Sequence, residues 1–279
     1  MLTITRVREL LKSHNLRPNK RLGQNFLIDR NIANKIIAAA GPKPGGTLFE
    51  IGAGLGNITA DLAGLAGRVI AVEFDKGLCA VLQETLKGCA NLEIFCADIL
   101  KFDFAGALRN GRATVIGNLP YYITTPILER LIENRRAISG AVLMVQKEVG
   151  ERLTSAPGSK VYGSLSCYLG FYAKIEFLGV VSRSSFFPQP EVDSVLLRLD
   201  FLDKPAVAVK DEELLFKVIR AAFNQRRKTI QSSLSHKKIS GFGRQEVTAA
   251  LNRAGIPGRQ RPEMLNLQEF ARIADELYE

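Results

Sequence analysis

The chain has 279 residues, 46% hydrophobic and 24% charged, and carries a net charge of +10. That is room for one large domain and a smaller one with a globular balance of residues, while no run approaches the roughly 18 consecutive apolar residues of a membrane span. Cys79, Cys89, Cys96 and Cys167 form no Cys-x-x-Cys pair, and His14 and His236 stand apart from acidic clusters, so buried reduced thiols are expected rather than disulfides, a metal site or Ser-His chemistry. The first residues lack the apolar core of a signal peptide, and a cytoplasmic monomer is expected.

Residues 5–14 place Val7, Leu10 and Leu11 on one helical face. Arg17, Lys20 and Arg21 then lead into Leu22-Gly23-Gln24-Asn25-Phe26-Leu27, an ordered loop because Leu22, Phe26 and Leu27 favour burial. A helix follows from Asp29, its cap, to Ala40, with Ile32, Ile36 and Ile37 at helical spacing, and Gly41-Pro42-Lys43-Pro44-Gly45-Gly46 ends it.

Thr47 to Ile51 reads as a buried strand, Gly52-Ala53-Gly54-Leu55-Gly56 as a turn, and Asn57 to Leu65 as a helix. A second strand, Arg68 to Val72, ends in Glu73, 21 residues after Gly52, the spacing at which an acid reaches ribose hydroxyls in such folds. The loop reads Gly-x-Gly-x-Gly behind Glu50, not the Gly-x-Gly-x-x-Gly of a dinucleotide fold. An acid beside the loop disfavours a pyrophosphate and suits a ligand with an ammonium or sulfonium charge. No Gly-Lys-Ser/Thr occurs, which excludes a phosphate-loop NTPase.

A helix from Gly77 to Leu86 leads to the strand Leu92–Cys96 and to Asp98, which either accepts from an adenine amino group or caps the turn before Ile99. The strand Ala113–Ile116 runs through Gly117 into Asn118-Leu119-Pro120-Tyr121. There an amide oxygen and a proline-braced carbonyl can accept from an exocyclic amino group, and a ring can stack on a base, although the string alone is an ordinary turn signal. Gly52, Glu73, Asp98 and Asn118 thus end successive strands, where open α/β sheets hold their ligands.

Beyond this lie a helix over residues 126–134, a strand over 141–145, a surface loop over 155–160, a helix over 164–171 and strands over 173–178 and 194–199. Two prolines hold Ser185-Phe186-Phe187-Pro188-Gln189-Pro190 extended, so that one of its rings could face Tyr121 across a base. After a linker at 201–209 the pattern is helical, with Arg226-Arg227-Lys228 in a helix or its turn. The expected fold is α/β, a Rossmann-like sheet over residues 1–203 with a small all-helical domain over 204–279. Residues 1–30 carry seven Lys/Arg against two Asp/Glu, and residues 205–279 thirteen against nine, while the middle is near neutral. Basic ends around a neutral core suggest that both ends grip a polyanion such as nucleic acid.

Glu50-Ile51-Gly52-Ala53-Gly54-Leu55-Gly56 resembles the first motif of class I S-adenosylmethionine methyltransferases. Together with Leu22–Leu27, Ala97-Asp98, Gly117–Pro126, Gln146-Lys147-Glu148, Phe186–Ser194, Phe223–Thr229 and Arg261-Pro262-Glu263, it makes essentially the whole chain similar to the KsgA-type ribosomal RNA adenine dimethyltransferases. Two positions depart from that family: Ser182-Arg183 where it commonly has Pro-Pro, and Ser232 where it commonly has Asn.

The resemblance implies S-adenosylmethionine as cofactor and, as substrate, two adjacent adenosines in the 3′-terminal hairpin of 16S rRNA within the small ribosomal subunit, each dimethylated at N6. It implies that Asn25 and Leu27 close over the methionine end of the cofactor, that Gly52 lines the loop, that Glu73 holds the ribose and Asp98 the adenine, and that Asn118 touches cofactor and target together. The implied catalytic set is Asn118, Leu119, Pro120, Tyr121 and Phe186. Arg17, Lys20, Arg21, Arg226, Arg227 and Lys228 are the expected RNA contacts, with no metal and no membrane. Two other functions remain open: a non-catalytic RNA-binding assembly or transcription factor on the same fold, and an enzyme that methylates large-subunit rRNA. Relatives of the second kind typically carry Ile at the position of Leu119.

Overall fold

The computed structural model describes residues 2–109, 111–225, 227–236 and 240–278. By internal contacts the chain divides into two units, one of residues 1–150 and 176–201, the other of 151–175 and 202–279. The segment 151–175 belongs to the second unit, a placement that a boundary between 203 and 204 does not include.

The first unit opens with helix α1 (Ile4–Ser13), capped by the Thr3 hydroxyl. A two-residue strand β1 (Phe26–Leu27) and helix α2 (Arg30–Ala40) follow, the latter capped by Asp29, which accepts from the N–H groups of Asn31 and Ile32. Strands and helices then alternate: β2 (Thr47–Ile51), α3 (Thr59–Ala63), β3 (Arg68–Glu73), α4 (Lys76–Thr85), β4 (Leu92–Cys96), α5 (Phe104–Leu108), β5 (Ala113–Asn118), α6 (Thr124–Glu133), β6 (Ile138–Gln146) and α7 (Lys147–Leu153). Helix α8 (Ser164–Tyr172) runs into β7 (Ala173–Val181), and β8 (Phe186–Phe187) and β9 (Ser194–Phe201) complete the strands.

Seven strands form one sheet in the order β4-β3-β2-β5-β6-β9-β7. Strands β2 to β6 pair in parallel, so their carboxyl ends share one edge, and β9 runs antiparallel to β6. The apolar runs of β2, β3, β5 and β6 are buried on both faces, as a sheet flanked by helices requires, while β4 at the sheet edge is only partly buried. Leu48, Val69, Ile116, Val142 and Leu196 pack on Ala33, Ile36 and Leu62 of the covering helices.

Strand β1 pairs antiparallel with β8, Phe26 opposite Phe187 and Leu27 opposite Phe186. This ribbon joins segments 160 residues apart in the chain. Helix α1 lies on it: Val7, Leu10 and Leu11 form a small core with Phe26, Leu55 and Leu78, against which Phe187 packs, and the Arg8 guanidinium sits 5.0 Å from the Phe187 ring centre.

The second unit contains α8, α9 (Glu212–Phe223), α10 (Ile230–Leu234), α11 (Arg244–Arg253) and α12 (Leu267–Leu277). An aromatic cluster explains why the segment before β7 belongs here. Phe216 of α9 meets Tyr168 and Phe171 edge-on at 4.9 and 5.2 Å, and the Tyr172 hydroxyl donates to Glu212 at 2.7 Å. Such edge-to-face contacts add to burial what apolar periodicity alone does not reveal. All four cysteines are free thiols; Cys79 and Cys167 are buried as expected, but Cys96, at the end of β4, is exposed.

Candidate active site

The site lies where the parallel strands end. Gly52 takes φ +72° and Gly54 +60°, conformations that favour glycine, and a Cβ on Gly54 would stand 3.3 Å from the Phe26 ring. The loop therefore turns sharply and leaves its backbone open to a ligand. Strand β3 lies beside β2 and delivers Glu73 to the same edge. The Glu73 carboxylate is held from two sides: Gly54 N–H donates to Oε2 and Asp75 N–H to Oε1, both at 2.9 Å. Burial pushes its pKa above the ordinary range, and these backbone donors oppose the shift.

Asp98 follows β4 and does what one of its two expected readings requires, with Oδ1 accepting from Leu100 N–H at 3.0 Å. Its side chain also lines the cleft, so the cap and the ligand-facing position coexist. Asn118 closes β5. Its Nδ2 donates to the Asn25 carbonyl at 3.0 Å. Only the NH2 end of an amide can donate to a carbonyl, so Oδ1 is left as the free acceptor.

These residues surround a cleft of about 280 Å³. Gly52, Gly54, Glu73, Asp98, Asn25 and Asn118 give it polar stations, and Ile51, Val72, Phe74, Ile99 and Ile123 give it apolar walls. A smaller cavity of about 50 Å³ shares Asn25, Gly52, Gly54 and Asn118 with it and adds Leu27, Glu50 and Asn57. Two carboxylates on one wall make the cleft negative: burial first, then Asp98 and Glu73, raise the pKa of the Tyr122 phenol. A nucleoside offering hydroxyl and amino donors fits this lining, and a pyrophosphate does not. The set of acceptors, Glu73, Asp98 and Asn118 Oδ1, suits S-adenosylmethionine.

The structure corrects two expectations. Glu50 is not an open charge beside the main cleft: it lines only the smaller cavity, is 5% exposed and accepts from the Thr59 hydroxyl at 2.6 Å. Burial raises its pKa to about 7. Phe186 does not reach the cleft: it is 3% exposed and packs with Leu27, Ile36 and Ile58, because the β1–β8 register turns its side chain into the core. Tyr121, expected to hold the base, is half-buried outside the lining of this cofactor cleft, its hydroxyl 3.0 Å from Ser194 Oγ. Leu119 is buried, and its N–H donates to the Met144 carbonyl at 3.0 Å, which fixes the backbone after Asn118.

Sequence reasoning missed Phe74 and Tyr122, which line the cleft while 58% and 57% exposed. Their adjacency to Glu73 and Tyr121 was the available signal. It also missed Gln24, whose Oε1 accepts from Asn19 N–H at 2.7 Å and whose Nε2 donates to Asp75 Oδ2 at 2.9 Å. Gln24 thereby ties the N-terminal arm to the residue that holds Glu73. Arg17, Lys20 and Arg21 are exposed on that arm; Arg227 and Lys228 are exposed in the second unit, and Arg226 lies outside the described residues.

Comparison with known proteins places these features in a family. Residues 15–279 match the model described as ribosomal RNA adenine dimethylase. The chain is 47% identical over 274 residues to the ribosomal RNA small subunit methyltransferase A of Moorella thermoacetica, covering 95% of this chain and 94% of that one. It is 44% identical to the protein of the same name from Shouchella clausii, over 99% and 95% of the two chains. Among solved structures, a dimethyladenosine transferase from Plasmodium falciparum superposes with a TM-score of 0.78 at 27% identity, covering 89% of this chain and 95% of that one. The 23S rRNA methyltransferase ErmE superposes with a TM-score of 0.72 at 29% identity, covering 91% of this chain and 100% of that one.

Proposed function

Because the chain belongs to the ribosomal RNA adenine dimethylase family, we propose that it transfers methyl groups from S-adenosylmethionine to N6 of two adjacent adenosines in the 3′-terminal hairpin of small-subunit (16S) rRNA, dimethylating each during subunit biogenesis. The observation that carries this reading is the Asn118 amide, fixed by its donation to the Asn25 carbonyl so that Oδ1 is left to accept. Glu73 takes the ribose hydroxyls of the cofactor and Asp98 its adenine amino group. Gly52 allows close approach of the backbone, and Asn25 and Leu27 flank the methionine end. When bound, the cofactor supplies an electrophilic sulfonium methyl.

The chemistry asked of the protein is positioning. The adenine N6 lone pair is delocalised into the ring, which makes the nitrogen a poor nucleophile. Hydrogen bonds from N6–H to Asn118 Oδ1 and the Leu119 carbonyl draw the nitrogen toward tetrahedral geometry and free its lone pair for in-line attack. Pro120 holds that carbonyl in place, and Tyr121 forms a wall for the base. No strong base is needed before attack, because the proton leaves more readily from the cationic product. Orientation and electrostatics supply the acceleration. A base in structured RNA must first turn outward to reach the site. Phe186 has no part in this scheme, because its ring belongs to the core.

Among the described residues no helix is long and apolar enough to cross a membrane; a ribosomal substrate supports a reaction in the cytoplasm. Arg17, Lys20 and Arg21 on the arm, with Arg227 and Lys228 in the helical unit, serve as phosphate contacts that position the RNA.

Incubation with methyl-labelled cofactor and unmethylated ribosomal subunits tests the function. Label on small-subunit rRNA is expected. Label on large-subunit rRNA alone favours the reading suggested by the likeness to ErmE, and no transfer despite intact cofactor binding favours an assembly factor. Five phosphate-contacting side chains predict that log affinity for RNA falls with log salt at a slope of about −4; a flat response would remove the basic ends from RNA binding. Gln24→Ala, which cuts the tie between the arm and Asp75, is expected to weaken cofactor binding about tenfold in equilibrium titration.

A further inference from the structure

We infer that Ser194 is a positioning residue for methyl transfer, its buried hydroxyl holding the Tyr121 ring in one orientation beside Asn118. The inference rests on the reading of Tyr121 as a wall for the base and goes beyond it, because it names what keeps that wall in place.

Ser194 is 0% exposed and opens β9, paired in register with Gln146 of β6. Its position is set from both sides of the chain. The Lys147 N–H donates to the Asp193 carbonyl at 3.0 Å, and the Arg183 N–H donates to Asp193 Oδ1 at 2.9 Å. The Arg183 guanidinium also donates to the Glu191 carbonyl at 3.3 Å. The loop that carries the paired prolines and Phe186 is thereby tied down immediately before Ser194, which gives Tyr121 a fixed anchor.

The Tyr121 backbone is held by the Thr124 hydroxyl, which donates to the Pro120 and Tyr121 carbonyls at 3.1 and 3.5 Å, but these bonds do not set the direction of its ring. Tyr121 opens the single 3₁₀ turn Tyr121–Ile123 after Pro120, with its ring half-buried. Its hydroxyl lies on the long axis of the ring, so the 3.0 Å contact with Ser194 Oγ fixes where that axis points. Without the contact, the ring can leave by rotation about χ1 to another staggered position. A substrate that must be methylated twice meets this wall twice, the second time with a bulkier N6. A wall that moves would therefore lower the rate and release more half-finished product. Ordinary satisfaction of a buried phenol would instead show only as lost stability.

The test compares Ser194→Ala, Tyr121→Phe and the double variant on unmethylated small subunits, reading turnover, the ratio of monomethyl to dimethyl adenosine, and the Kd for S-adenosylmethionine. Both single variants remove the same bond. Each is expected to lower kcat by roughly tenfold, to raise the monomethyl fraction and to leave the cofactor Kd within about twofold; the double variant is expected to be no worse than either single one. Tyr121→Phe keeps the ring and leaves Ser194 in place, so it serves as the folding-safe member of the pair. Unchanged kcat and product ratio in both single variants, or additive losses in the double variant, would overturn the role of Ser194. Tyr121→Ala separates this from the underlying reading. If removing the ring leaves transfer intact, Tyr121 is no wall for the base; if it abolishes transfer while Ser194→Ala and Tyr121→Phe do nothing, only the positioning claim falls.

Discussion

Replacing Asn118 with alanine is expected to lower methyl transfer by roughly 10²–10³-fold while the Kd for S-adenosylmethionine rises only a few-fold. The asymmetry follows from the layout of the strand ends. Glu73 and Asp98 stand on β3 and after β4, held by the N–H groups of Gly54, Asp75 and Leu100 rather than through Asn118. The nucleoside end of the cofactor keeps its partners in the variant. What is lost is the acceptor for N6–H, an interaction that strengthens as the nitrogen becomes tetrahedral and so acts mainly in the transition state. The Asn25 carbonyl also loses its donor, which accounts for the small change in affinity. Single-turnover rates alongside equilibrium binding separate the two effects. Unchanged turnover in the variant would take Asn118 out of the mechanism.

The second large effect is on stability, and it comes from Glu50. Its carboxyl is raised from 4.5 to about 7 by burial, with the Thr59 hydroxyl opposing the shift and Glu73 adding to it. An acid whose folded pKa is raised holds its proton more tightly in the native protein than in the unfolded chain. Between those two values the native state keeps a proton that the unfolded chain has released, so stability falls as pH rises across this window. Below it the penalty is absent, and above it the penalty is complete, at about 3 kcal/mol. Glu50→Gln keeps an oxygen that accepts from Thr59 and removes the ionisation. The variant is expected to match the parent near pH 4 and to exceed its stability at pH 8 by up to about 3 kcal/mol, measured by urea unfolding without cofactor. A variant less stable than the parent at pH 8 would show that Glu50 is needed as an anion.

That a buried acid should sit beneath the glycine loop was only half legible in the sequence. Glu50 was visible as an acid at a strand end, but its neighbour Thr59 and its depth come from the packing of α3 on the sheet. The strand ends themselves could be read because each is a short apolar run stopped by a polar residue. The order β4-β3-β2-β5 then brings Asp98, Glu73, Gly52 and Asn118 to one edge. The β1–β8 ribbon could not be read, since two-residue strands have no periodicity and their pairing spans 160 residues. For the same reason the sequence could not tell that Phe186 faces the core, or that Phe187 lies under Arg8. The choice between Tyr121 and Tyr122 turned on a single 3₁₀ turn, which sends one ring toward Ser194 and the other to the cleft.

The central claim is that this site dimethylates adenine N6 in small-subunit rRNA. Its most direct measurement is mass spectrometry of the 3′-terminal rRNA fragment after reaction of unmethylated small subunits with the purified protein and S-adenosylmethionine. The account predicts N6,N6-dimethyladenosine at two adjacent positions with the parent chain and its near absence with Asn118→Ala. Methyl groups at other positions, or equal dimethylation by the variant, would contradict it.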